Sequence, residues 1–270
     1  MSWRYALTPK WIVRHLAVVA LITGMLFLLA WQLDRHREKR DHIELVEGRM
    51  AARVAPVEDL LAPGLRVGAG EVDDVLYRRV SAEGPYLADR TVVVENRTSA
   101  LGSPGGWVLT PLDLGGGRSV LVNRGFVGYD AQGRIVAPPP PSGRVRVEGL
   151  LFPSQRRGSF GAADPQQGTL SVVARVDLER IDAQVDGELL PAYVQLTSST
   201  PGEPPVAEGV AAVEALGPPE LSEGSHLSYA VQWGIFSTVA GVGYVLLLRK
   251  LAREQGRDRA TTGAGGLQEV

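Results

Sequence analysis

Two long uncharged apolar runs, one towards each end, constrain this chain more than any other feature. Residues 16–33 read LAVVALITGMLFLLAWQL, with no charge over about 18 residues. At 1.5 Å per residue that is roughly 27 Å of helix, close to the hydrocarbon thickness of a bilayer. Trp11 to Val13 extend the run when Arg14 reaches back to the interface. Residues 227–248, LSYAVQWGIFSTVAGVGYVLLL, cover about 22 residues, or roughly 33 Å of helix. Buried helices of soluble proteins are seldom so long and so free of charge, so both runs read as membrane-crossing helices.

A cleaved signal peptide is the competing reading of the first run, because Arg4, Lys10 and Arg14 precede it. Its length argues against cleavage, as does its exit, Trp31-Gln32-Leu33-Asp34, which lacks small residues. Orientation follows from the second run. Glu220 and Glu223 precede it, whereas Arg249, Lys250, Arg253, Arg257 and Arg259 follow it. Basic flanks stay on the cytoplasmic side. The predicted order is therefore a cytoplasmic segment 1–10, a first membrane helix 11–33, an extracytoplasmic domain 34–226, a second helix 227–248 and a cytoplasmic basic tail 249–270. The location is the plasma membrane, multi-pass, with membrane lipid as a partner and both termini inside.

Composition removes several function classes. The chain has no cysteine, which excludes a disulfide framework, a thiolate-bound metal and a cysteine nucleophile. Net charge is −2, so no basic field argues for nucleic acid. The histidines are His15, His36, His42 and His226. His36 and His42 lie six apart on a charged helical stretch, poor spacing for two ligands on one helix face. No metal site is expected.

The segment between the apolar runs is about 193 residues, enough for one globular unit. Residues 34–53 are charged and helix-compatible, a stalk continuing the first helix. Short β-rich runs follow at 75–80, 91–96, 107–110, 119–123, 144–151, 170–176 and 193–197. Gly115-Gly116-Gly117 predicts a hairpin joining 107–114 to 118–127. Residues 177–185 predict a short helix. Residues 198–224, rich in Pro, Gly, Ala and Glu, predict a flexible return to the membrane. Strands joined by short turns favour an antiparallel barrel or sandwich, giving a membrane protein whose two helices flank a β-rich α+β domain.

Enzyme signatures are missing. The triple glycine has no following lysine and opens no helix, so it is no phosphate cradle. No G-x-S-x-G or H-E-x-x-H occurs. Two stretches stand out instead. In Val122-Asn123-Arg124-Gly125-Phe126-Val127, the Asn123-Arg124-Gly125 step can set a guanidinium at the domain surface for a partner's carboxylate. The plainer reading is a β-bulge kinked at Gly125, with Arg124 in a structural ion pair. In His226-Leu227-Ser228-Tyr229-Ala230-Val231-Gln232-Trp233, His226, Ala230, Trp233, Ser237, Gly241 and Tyr244 share one helix face. Small residues there suit close helix approach, so a packing seam is the plainer reading.

The order of anchor helix, Asn96-Arg97, Gly105-Gly106-Trp107-Val108-Leu109-Thr110-Pro111-Leu112, the Val122–Val127 stretch and then His226 to Trp233 resembles the Surfeit locus protein family of cytochrome c oxidase assembly factors. The resemblance spans about 11–249. Family members commonly carry tryptophan where Phe126 stands and a bulky aromatic where Gly234 stands. The resemblance implies a non-enzymatic factor that helps insert haem a into the oxidase core subunit, in contact with the haem a biosynthesis machinery. It implies a haem ligand at His226. Tyr229 and Trp233, about one and two turns deeper, would supply apolar ring surface. His15 lies at the opposite end of the first helix, whereas His36 lies at the outer level of His226, with Arg35 or Arg37 available to propionates. A scaffold that stabilises an oxidase intermediate without touching haem is the alternative. A membrane-anchored ligand sensor is a third reading, disfavoured by the short tail.

Overall fold

A computed structural model describes residues 7–67, 69–158, 163–165, 167–206 and 211–265. Parts of the expected segment 1–10, of the linker 198–224 and of the tail 249–270 lie outside these residues. The described chain forms two compact units, residues 1–44 with 221–270, and residues 45–220.

The first unit is built on two helices. α1, Pro9–Ala51, is one unbroken helix, so the charged stretch after Leu33 continues the apolar run without a break. α5, His226–Gly265, carries the second apolar run. Both are long and apolar enough to cross a membrane. Side chains such as Val19, Phe27, Ile235 and Val239 point outward from the pair.

The second unit is a mixed sheet. Its strands are β1 (Ala55–Pro56), β2 (Arg79–Pro85), β3 (Val92–Thr98), β4 (Pro104–Gly115), β5 (Arg118–Gly128), β6 (Arg144–Pro153), β7 (Val172–Val173), β8 (Glu188–Leu189) and β9 (Ala192–Thr200). Short helices α2 (Val57–Leu60), α3 (Gly70–Val75) and α4 (Leu178–Asp182) complete it. The sheet order is β1-β2-β6-β9-β5-β4-β3-β7, with β8 paired to β5.

This corrects the expected antiparallel barrel or sandwich. The path is open at both ends, and the chain after β2 meets β4 at one isolated bridge, Tyr86 to Leu112. Four pairings are parallel: β1–β2, β3–β7, β5–β8 and β5–β9. The reason is an insertion. β9 enters between β5 and β6, runs antiparallel to β6, and is thereby parallel to β5, with Val122 opposite Val194 and Asn123 opposite Gln195.

Because β5 and β9 are central, both of their faces are covered. Val120 and Val122 of β5 join Val80, Val147 and Val194 in one core cluster, while Leu121 joins Val92, Leu109 and Tyr193 in another. Every residue from Ser119 to Val127 is therefore buried, the near-continuous pattern of a strand with no solvent face.

The predicted hairpin is present as β4–β5. Its glycines all have positive φ, at 82°, 64° and 74° for Gly115, Gly116 and Gly117, a backbone that glycine adopts without steric penalty. The predicted helix forms as α4, with the Asp177 side chain accepting from the Arg180 N–H. Two strand expectations change. Residues 75–80 split between α3 and β2, because Val72 and Leu76 bury themselves at helical spacing and Tyr77 turns the chain at φ 64°. Of residues 170–176, only Val172 and Val173 pair.

The return segment is also corrected. Residues 198–200 belong to β9. Beyond them, Phe126 and Glu214 exchange two backbone hydrogen bonds of 2.8 Å each, and Gln195 Nε2 donates to the Gly217 carbonyl at 2.8 Å. Much of the segment is thus held against β5 and β9 rather than loose.

Candidate functional site

In the helical unit, α1 and α5 run antiparallel and touch along a seam. A Cβ on Gly234 would lie 3.1 Å from Leu29 Cδ1, and one on Gly241 would lie 3.9 Å from Ile22 Cδ1. Ala230 and Ser237 are 2% and 7% exposed. The shared face read from the sequence therefore lies along this seam, and Gly234 adjoins it. A bulky aromatic at Gly234 would require Leu29 to move. The small residue there suits α1 as it stands.

Each end of the seam carries a histidine. At one end the His15 ring meets the Tyr244 hydroxyl through Nδ1, with ring centroids 5.8 Å apart. At the other end His226 Nδ1 lies 2.8 Å from Gln32 Oε1. His226 is half-buried, and its Nε2 makes no hydrogen bond among the described residues. Tyr229, 49% exposed, lies one turn further along α5. Trp233 is half-buried and meets Phe236 edge-on, with centroids 5.9 Å apart. His226, Tyr229 and Trp233 thus occupy adjoining positions on one side of α5, an imidazole followed by two aromatic surfaces.

His36 sits one turn beyond Gln32 on α1, its Nδ1 3.9 Å from Glu223 Oε2. Arg40 Nε lies 3.8 Å from the other oxygen of Glu223. Arg35 and Arg37 are engaged within α1, to Glu38 at 2.7 Å and Asp34 at 3.0 Å.

Within the sheet unit, Asn123, Arg124 and Gly125 form a β-bulge. Val108 pairs with Gly125 and Leu109 with Asn123, leaving Arg124 as the extra residue. Gly125 has φ 145°. A Cβ there would lie 2.3 Å from the Glu214 carbonyl oxygen, closer than any packing allows. Asn123 is fully buried, and its Oδ1 accepts from the Gly125 N–H at 3.3 Å.

Arg124 lies inside the domain, not at its surface; its side chain has no exposure at all. The carboxylate it holds is the chain's own Glu203. Nε donates to Glu203 Oε1 at 2.9 Å, and Nη2 donates to Glu203 Oε2. Nη1 donates to the Pro138 carbonyl at 2.9 Å, and Nη2 also to that of Pro139 at 3.1 Å. Four of the five donors of this planar group are thereby spent on internal acceptors. Tyr86 lies beside it, the guanidinium 5.9 Å from the ring centroid. Burial pushes the Tyr86 phenol far above its ordinary range, Arg124 acting against that shift and Glu203 with it.

Phe126, where the family resemblance leads one to look for tryptophan, is buried against Gly105. A Cβ on Gly105 would lie 2.5 Å from Phe126 Cζ, so the ring takes the space that glycine leaves. Arg97 stacks on Trp107, 4.7 Å from the ring centroid, and donates to Gln155 Oε1 at 3.1 Å. Among the described residues no cluster of three metal-ligating side chains occurs.

The model of the SURF1 family matches residues 19–238. The chain belongs to the SURF1 family. It is also 27% identical to uncharacterized SURF1-like proteins of Mycobacterium tuberculosis and Mycobacterium bovis, over 95% of this chain and 90% of theirs. The SURF1 family is linked to oxidase assembly and is not known as an enzyme family. Within this member, sequence reasoning missed two residues. Gln32 was signalled as an amide closing an otherwise apolar run, a group that needs a partner wherever water is scarce. Glu203 had no such signal, since only the folded chain brings it to Arg124.

Proposed function

We propose that this protein is a two-helix membrane assembly factor for a haem–copper terminal oxidase, receiving haem a at His226 and passing it to the core subunit. The supporting observation is the His226 ring, whose Nδ1 is tied to Gln32 while its Nε2 has no hydrogen-bond partner among the described residues. An imidazole nitrogen beside the aromatic surfaces of Tyr229 and Trp233 suits an iron porphyrin, offering an axial ligand and apolar ring contact. The donor set therefore fits the cargo. A single open ligand from the chain also suits a carrier, which must release what it holds.

The helices cross the plasma membrane in this reading. Arg249, Lys250, Arg253 and Arg257 follow the second apolar run and favour the cytoplasmic side, which puts the sheet unit outside and both termini inside. The haem a biosynthesis machinery would be the donor and the oxidase core subunit the acceptor. Arg124 does not serve as a direct partner contact in this scheme, since its side chain is buried and bonded to internal acceptors; the bulge shapes the domain that meets the client.

The test is the haem a content of protein purified from cells that make haem a, with and without His226→Ala. Loss of the haem spectrum in the variant is expected. Unchanged haem content would remove His226 as the ligand. Oxidase subunits that co-purify equally with both proteins, neither of them carrying haem, would favour the scaffold reading.

A further inference from the structure

We infer that Gln32 is a positioning residue that selects the ring tautomer of His226 in which Nε2 carries the lone pair, an inference that rests on His226 being the group that takes haem. The contact is Gln32 Oε1 to His226 Nδ1 at 2.8 Å. A carbonyl oxygen can only accept, so the ring donates from Nδ1. A neutral imidazole has a single N–H, and with the proton on Nδ1 the opposite nitrogen is left basic. That form alone can ligate iron through Nε2. Without an acceptor at Nδ1 the proton is free to move to Nε2, where it blocks the ligand position.

The surroundings agree with this assignment. Gln32 and His226 lie on different helices, so the seam between α1 and α5 sets their distance, and the ring is aimed by packing as well as by the hydrogen bond. Two competing donors on α1 are occupied elsewhere: Arg35 holds Glu38 and Arg37 holds Asp34. Position 224 adds no side chain at the Nε2 edge. Gly224 passes beside the ring at φ 69°, and a Cβ there would lie 3.5 Å from His226 Cδ2 and 3.8 Å from Nε2. Glycine permits that backbone and leaves no side chain across the approach. An acceptor on the ring nitrogen away from the metal is the arrangement that orients metal-binding histidines generally.

The test uses the full-length protein in lipid nanodiscs, with nitrogen-15 in its histidines. The His226 signals are identified by their loss in His226→Ala. Long-range proton–nitrogen correlations of the haem-free protein then report which nitrogen is protonated. The inference expects protonation at Nδ1 in the wild type and in Gln32→Glu, which keeps an acceptor. It expects a shift towards Nε2–H in Gln32→Leu. Ser237→Ala, elsewhere in the seam, should change nothing. Titration with haem should then show Gln32→Leu weakened by about tenfold to a hundredfold, as loss of an outer-shell partner costs elsewhere, with Gln32→Glu close to wild type.

Protonation at Nε2 in the wild type, or a tautomer unmoved by Gln32→Leu, would overturn the inference. Failure of the haem reading looks different: the tautomers behave as described, and His226→Ala binds haem as well as the wild type.

Discussion

Arg124 and Glu203, 79 residues apart in the chain, meet through two hydrogen bonds, and the guanidinium side of that pair has no solvent exposure. The pair does two things at once. It satisfies the bulged residue of β5, and it fastens the first part of the return segment to the sheet. Glu203 remains 23% exposed, so only the cation is fully desolvated. A buried charge left without its partner is costly, whereas an intact pair can be close to neutral.

Glu203→Gln should therefore destabilise the sheet unit by on the order of 3 kcal/mol, the range for breaking a buried pair from one side. Arg124→Lys should cost a similar amount, because an ammonium cannot reach the carboxylate and two carbonyls together. The measurement is thermal unfolding of the full chain in detergent, followed through the fluorescence of Trp107, the only tryptophan of residues 45–220. An unchanged melting temperature in both variants would refute the structural role given to the pair.

Gly125→Ala acts on the same region through the backbone. The added Cβ would lie 2.3 Å from the Glu214 oxygen, so the bridge between Phe126 and Glu214 must open. Losing its two hydrogen bonds should cost about 2 kcal/mol, at roughly 1 kcal/mol each. Limited proteolysis should cut residues 211–217 faster in the variant. Equal cleavage rates would mean that the segment is not held by this bridge.

These contacts explain which parts of the molecule were legible beforehand. The β4–β5 hairpin was readable because its turn chemistry, three consecutive glycines, is local. The helix after Asp177 was readable because its cap is local too. The parallel pairing of β5 with β9 was not, since a strand inserted between two earlier ones leaves no mark on nearby sequence. Residues 75–80 misled because the apolar step Val75-Leu76-Tyr77 also fits a helix end when Val72 and Leu76 are the buried pair. At the candidate site, His226 was singled out by its motif. Gln32 was not, because its importance lies in a ring on the other helix.

Asp130 offers a pH dependence whose sign is fixed by its contacts. The Arg134 backbone N–H donates to its Oδ1 at 2.8 Å and the Gln132 N–H at 2.9 Å, while the Arg134 guanidinium donates to Oδ2 at 3.0 Å. These interactions, the Arg134 backbone bond foremost, hold the carboxyl below the usual carboxylate range. A depressed folded value stabilises the turn fully above the unfolded value, about 3.9, and that contribution fades as pH falls through the folded value. Carboxyl carbon-13 shifts of Asp130 should titrate below those of an unstructured aspartate. Arg134→Ala should raise the midpoint without restoring it fully, since the backbone donors remain. A midpoint at or above the ordinary value would show that the turn does not form.

The helix seam can be tested without reference to any ligand, because the chain has no cysteine of its own. Leu29 to Ile22 on α1 and Gly234 to Gly241 on α5 are both steps of one heptad, and the glycine positions face the two aliphatic side chains in antiparallel register. Leu29→Cys with Gly234→Cys, and Ile22→Cys with Gly241→Cys, should each form a disulfide on mild oxidation. Phe27, 69% exposed on the outer side of α1, gives the control: Phe27→Cys with Gly234→Cys should not. Proteolysis of the intervening chain separates the helices unless they are bridged, so crosslinking is read as two fragments migrating together on a non-reducing gel. Bridging by the control pair but by neither facing pair would put Gln32 on the wrong side of α1 to reach His226. The hydrogen bond on which the tautomer depends would then have no place to form.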